Sequence, residues 1–171
     1  MLSFKSRNLI LSDFLSVRLI QFINVKKFNI NYMKVYTIDT SKRKVIYDKL
    51  YDALKRDEIL FVYVYGSFTQ GIFRDIDIGV YLRSFKNKED IIKYETTLES
   101  ELEYTVGFPV DVRILNYAPL SFRFNVIKNG KLLFSKDESE RSNFECLTFV
   151  EFHDFKFHRD SYRREAIGIV V

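Results

Sequence analysis

The apolar positions of this chain change period several times, and each change marks an element. From Ser41, a plausible N-cap, Ile46, Leu50, Ala53 and Leu54 form a helical stripe that runs to about residue 56. Residues 59–65 are an unbroken apolar and aromatic run, ended by Gly66. A run this rich in β-branched residues predicts a strand buried on both faces, as in an α/β sheet. Residues 75–82 alternate and predict a second strand, and residues 88–103 read as a charged helix. A third strand is expected over 109–115, then a helix over 119–128 closed by Asn129-Gly130. A short strand over 131–134 and an aromatic-rich helix over 136–164, with Ser135 or Asp137 as N-cap, complete the pattern.

Residues 1–32 stand outside it. Leu9, Ile10, Leu11, Phe14, Leu15 and Val17 are only loosely helical in spacing, and no apolar run reaches the ~18 residues of a membrane span. No small-residue cleavage site follows an apolar stretch, so no signal peptide is expected. The segment reads first as translated upstream sequence ahead of a start at Met33, with a packed extension or a basic surface helix as alternatives.

Length and composition narrow the class. The 171 residues, 47% of them apolar and 16% aromatic, suit one domain with a substantial core, in which Phe and Tyr replace Trp. Cys146 is the only cysteine, which excludes an intrachain disulfide, and it reads as core filler. His153 and His158, five apart, do not share a helix face and are read as structural or solvent-facing. The net charge of +4 resides wholly in residues 1–32, where five basic residues face Asp13 alone. The remainder is balanced, so no direct nucleic-acid binding is expected of it.

The chemistry concentrates in residues 65–80, Tyr-Gly-Ser-Phe-Thr-Gln-Gly-Ile-Phe-Arg-Asp-Ile-Asp-Ile-Gly-Val. In a strand, alternate side chains share a face, so Asp75 and Asp77 project to one side, about 6–7 Å apart. Two such carboxylates repel unless a cation lies between them. Mg2+ suits them, being hard and usually held by one or two carboxylates together with substrate phosphates. Asp111, between Val110 and Val112, becomes a third ligand if its strand neighbours theirs, on the side of an attacking hydroxyl. Gly66 permits close backbone approach, Ser67 adds a hydroxyl and opens a turn toward phosphates, and Gly71 lets the chain double back. Singly, each feature has a bland reading as a turn or a solvated strand edge. Their combination is what carries the assignment.

On Gly66-Ser67, Asp75-Ile76-Asp77 and Asp111, the chain resembles the nucleotidyltransferases of the DNA polymerase beta superfamily, most of all their minimal (Mnt) branch. Residues 115–119, 129–134 and the Phe-rich last helix share the likeness, which spans about residues 41–164. The turn from Ser67 to Asp75 is shorter than in many relatives, and Arg74 stands where they often carry Ser. The resemblance implies an α/β (α+β) fold, a small mixed sheet flanked by helices, with residues 1–40 as an extension and 165–171 as a tail. It implies a cytoplasmic Mg2+-dependent enzyme with catalytic and metal-binding Asp75, Asp77 and Asp111 and nucleotide-binding Gly66, Ser67 and Gly71. Many Mnt proteins are antitoxins that transfer AMP from ATP to a tyrosine of a HEPN-domain toxin, and that is the expected function. The alternatives are a small-molecule acceptor, for which no added domain is visible, and neutralisation of the toxin by binding alone. RNA-directed transfer is disfavoured by the neutral body.

Overall fold

The computed structural model describes residues 34–84 and 88–167. The expectations for residues 1–32 and for the end of the tail fall outside them. The first described element is a two-residue strand, β1 (Tyr36–Thr37), which pairs antiparallel with β3 (Ile72–Phe73). Helix α1 (Thr40–Leu54) follows, capped not by Ser41 but by Asp39, whose Oδ1 accepts from Lys42 N and Ser41 Oγ, both at 2.7 Å. An N-cap side chain must reach the backbone N–H two or three positions on, and here Asp39 does so. Residues 36–40, assigned from the sequence to the extension, therefore belong with the body, whose compact unit begins at Val35.

Strand β2 (Ile59–Tyr65) leads through a 3-10 turn, Ser67–Gln70, and β3 into β4 (Ile76–Leu82). Helix α2 (Lys88–Val106) crosses back to β5 (Val110–Ile114), which pairs parallel to β4. A second 3-10 turn precedes α3 (Leu120–Asn129), and β6 (Lys131–Ser135) and α4 (Glu138–Ile167) end the fold. The main sheet has the order β5-β4-β2-β6, antiparallel except for β4-β5. This is the mixed α+β architecture expected.

The unbroken apolar run of β2 is explained by cores on both faces of the sheet. Val62 and Val64 join Ile46, Leu50 and Leu54 of α1 and Leu98 and Leu102 of α2 on one face. Phe61 and Tyr63 meet Val126 of α3 and Phe144 of α4 on the other. Asp137 caps α4, accepting from Glu140 N at 3.0 Å. Tyr63 and Tyr81 anchor the same helix by donating their hydroxyls to Glu145 and Glu140.

One sequence reading, Cys146 as core filler, needs correction, and the structure adds detail at Gly130 and along α4. Gly130 does close α3, donating to Val126 O at 2.8 Å, but at φ −80° it is not left-handed. Its role is clearance, because a β-carbon there would meet Val126 O at 2.4 Å. Cys146 is exposed, on the solvent side of α4. The aromatic residues of α4 are core only in its first half, where Phe152 stacks on Phe124 with ring centroids 3.7 Å apart. Phe155, Phe157 and Tyr162 are exposed.

One face of α2 holds β5 at the sheet edge. Glu103, Glu99 and Glu95 accept the backbone N–H groups of Val110, Val112 and Ile114 at 3.2, 3.1 and 2.8 Å. Four helix residues advance about 6.0 Å and two strand residues about 6.6 Å, so an i, i+4, i+8 series matches alternate strand donors. The edge donors that would otherwise invite another strand are thereby satisfied.

Candidate active site

Pairing across the sheet brings the predicted residues together. Tyr65 of β2 is register partner of Asp77 of β4, and Asp77 of Asp111 of β5. Paired residues point to the same face, so Tyr65, Asp77 and Asp111 form one row at the end of the sheet. Asp75 lies in the bend just before β4, half-buried like Asp77 and Asp111. The entry of β4 is fixed by Ile76 N donating to Pro109 O at 2.9 Å. Ile76 and Ile78 point into the core on the opposite face, as the alternation requires.

Asp77 senses the other two carboxylates. Burial, then the charges of Asp75 and Asp111, push the Asp77 carboxyl up to about 6. Burial and the same three carboxylates, Asp77 foremost, also raise the Tyr65 hydroxyl well above its ordinary value. They stand as electrostatic neighbours and not as a closed ligand set, for among the described residues no three His, Cys, Asp or Glu side chains meet as one. Asp111 Oδ1 is held instead by Arg113 Nη2 at 3.1 Å, and Arg113 also reaches Glu95 at 3.7 Å. The donor set fits Mg2+. It is all hard oxygen, burial and then the two neighbouring carboxylates push Asp77 up, and Mg2+ ordinarily takes one or two carboxylates and completes its shell with water and phosphate.

The turn beside the row is rigid. Gly66 has φ 70° and ψ −163°, a conformation open essentially to glycine alone. Thr69 Oγ1 donates to Gly66 O at 2.8 Å, and Phe68 is fully buried against Tyr47 and Phe73. These contacts leave Ser67 exposed. Gly71 faces the other way. It is buried at φ 94°, and its carbonyl accepts from Ile38 N at 3.2 Å. Its observed part is to close the turn.

Sequence reasoning missed Tyr65, Arg113 and Glu99. The first two were legible by strand alternation, since Tyr65 directly precedes Gly66 and Arg113 lies two residues from Asp111. Glu99 was not legible, because its neighbour Asp111 is met only across the α2–β5 contact. Burial raises the Glu99 carboxyl, opposed by its bond from Val112 N and reinforced by Asp111. No helix among the described residues is long and apolar enough to cross a membrane.

Comparison with known proteins agrees with this geometry. No curated protein sequence matches the chain. Several solved structures share its fold. An MNT antitoxin in complex with tri-AMPylated HEPN toxin, from Shewanella oneidensis, is 18% identical with a TM-score of 0.59, covering 73% of this chain and 98% of its own. A toxin–antitoxin structure with AMP-PNP is 21% identical with a TM-score of 0.59, over 71% and 98%. An MntA–HepT toxin–antitoxin structure is 18% identical with a TM-score of 0.54, over 75% and 99%. The family model described as polymerase beta, nucleotidyltransferase, matches residues 48–139, a span that holds every carboxylate of the row and the Gly66-Ser67 turn. By that match over more than half its length, the chain belongs to the polymerase beta nucleotidyltransferase family.

Proposed function

We propose that this protein transfers AMP from ATP, with Mg2+, to a tyrosine of a HEPN-domain toxin, and so serves as the antitoxin of the pair. The observation that carries the catalytic part is the row of Asp77 and Asp111 beside Gly66-Ser67, with Asp75 at its entry. A cluster of half-buried carboxylates, in which burial and its two neighbours push Asp77 up, suits a catalytic site better than a surface that only binds. The toxin acceptor is supported by the descriptions of the structural neighbours, antitoxins in complexes with HEPN toxins, one of them AMPylated.

In this reading Asp75 and Asp77 hold the metal, Asp111 faces the acceptor, and Gly66 and Ser67 meet the triphosphate on a turn that Gly71 closes. Bound Mg2+ would supply positive charge to the phosphate oxygens. The acceptor oxygen forms a bond to the α-phosphorus while the bond to the bridging oxygen breaks. The hydroxyl proton passes to Asp111, and pyrophosphate leaves with the electron pair. The protein contributes alignment and fixed charge more than covalent chemistry.

Toxin neutralisation by contact alone is the second reading, favoured by the exposed Phe155, Phe157 and Tyr162 of α4. One experiment separates the two. Purified protein is incubated with Mg2+ and α-labelled ATP, with and without its HEPN partner, beside an Asp75→Ala/Asp77→Ala control. Label on the partner that vanishes in the control supports transfer to a toxin. A stable complex without label supports contact alone.

A further inference from the structure

The two edges of the main sheet are finished differently. At β5, Glu95, Glu99 and Glu103 of α2 accept the outward N–H groups. At β6, the other end of the order β5-β4-β2-β6, one side pairs with β2 and the other meets no strand among the described residues. An open edge is a template for a further strand.

A groove runs along this edge. β6 and α1 lie side by side in the same direction, since Lys131 Nζ sits 4.8 Å from the centre of the Tyr47 ring and the Tyr51 and Phe134 rings meet at 5.5 Å. Between helix and strand a cavity of about 570 Å³ opens, on the α1 face of the sheet and so opposite the carboxylate row. Its two ends differ in chemistry. Arg43, Lys44 and Lys131 stand at the start of both elements, and Tyr51, Leu132 and Leu133 further along, with Asp48 the one carboxylate in the lining. Arg43 is fixed there, its Nη1 donating to Thr69 O at 2.8 Å. Leu132 is left 36% exposed.

We infer that this groove docks an acidic, extended segment of a partner protein, added to β6 as a fifth strand of the main sheet. Main-chain bonds to the edge supply affinity, and alternate side chains entering the groove supply specificity. An antiparallel addition passes Leu133 before Lys131, so the segment presents an apolar residue first and an acid two residues later. Charge decides the occupant. A second copy of β6 would bring its own Arg43, Lys44 and Lys131 against this set, and like charges repel. Residues 1–32 of the chain, with five basic side chains and one acid, carry the same wrong sign.

The test is fluorescence anisotropy of a labelled peptide, Thr-Val-Thr-Val-Thr-Glu-Thr-Glu, titrated with the full chain, beside the same peptide with Lys in place of Glu. Wild type, Lys44→Gln/Lys131→Gln, Lys44→Glu/Lys131→Glu and Asp75→Asn/Asp77→Asn are compared. The acidic peptide is expected to bind wild type and the aspartate variant alike, and the Gln variant at least about tenfold more weakly, the loss of one to two charge-assisted contacts. The Lys peptide should bind only the Glu variant. Two N-methylated forms of the acidic peptide, one blocking the threonine N–H groups and the other those of valine and glutamate, test the backbone. One form alone should lose binding, because alternate N–H groups of an added strand face the edge. Bound peptide should slow hydrogen exchange in β6 and not at Val112 of β5. No binding of the acidic peptide by wild type, equal affinity of wild type for the acidic and Lys peptides, or full binding by both N-methylated forms overturns the inference. So does self-association of the peptide-free chain that protects β6, which would make a second copy the occupant. None of these outcomes depends on nucleotide transfer.

Discussion

Gly66 and Asp77 compete for one space: a β-carbon on Gly66 would stand 1.9 Å from Asp77 Oδ2. The two halves of the motif are therefore one device. The glycine that starts the turn is also what lets the carboxylate stand beside it, and its φ of 70° with ψ of −163° would exclude other residues even if the space were free.

Gly66→Ala should accordingly do more harm to activity than to stability. Backbone strain there costs about 1–3 kcal/mol, which chemical denaturation will read. Displacement of Asp77 should lower transfer by about 100-fold or more, since a misplacement of about 1 Å costs that much. Wild-type turnover in the Gly66→Ala protein would refute the coupling.

Asp77 makes the metal-free protein sensitive to pH. Its folded-state pKa, about 6, lies above the ordinary 3.8, so the folded state binds the extra proton between those values. Its stabilising contribution is full below about 3.8 and is lost as pH rises through about 6. Asp77→Asn should thus stabilise the protein at pH 7 in chelator, by about 1 kcal/mol after discounting its partial exposure. Urea titrations of both proteins at about pH 5 and about pH 7.5 should show the gap widening at the higher pH.

Ligand-linked stability tests the same carboxylates without an acceptor. Mg2+ and a non-hydrolysable ATP analogue at about 100 times Kd should stabilise wild type by about 2.7 kcal/mol. Asp75→Ala/Asp77→Ala should fold and lose most of that increment. An unaltered increment would remove these residues from the nucleotide site.

Glu99 links the sheet edge to the site. Glu99→Leu leaves Val112 N–H without its acceptor and should cost about 1–3 kcal/mol. Glu99→Gln keeps an acceptor oxygen and should cost clearly less. Hydrogen exchange at Val112 should accelerate in the Leu variant, with Tyr63 in the middle of β2 as internal control.

Much of this was legible in the chain itself. The period of apolar residues marked β2, β4, β5 and every described helix to within a few residues, and the doublet Asp75/Asp77 after Gly66-Ser67 marked the candidate site. Periodicity and turn chemistry are local, written within a few residues of where they act. Locality is also why Asp39 and Ser41, both good caps two residues apart, were not told apart. β1 was missed because two residues are too few to show a period.

What only the tertiary structure decided is who stands beside whom. Asp111 faces Asp77 because β5 lies parallel to β4, Arg113 holds Asp111, and Glu99 reaches Val112 across a helix–strand contact. The exposure of Phe157 and the burial of Phe144, two similar residues of one helix, depend on where α4 runs past the sheet. Such relations arise from contacts between segments far apart in the chain. The local sequence determined the elements and the kinds of chemistry they carry, and packing of the two cores onto the sheet determined which side chains share a site.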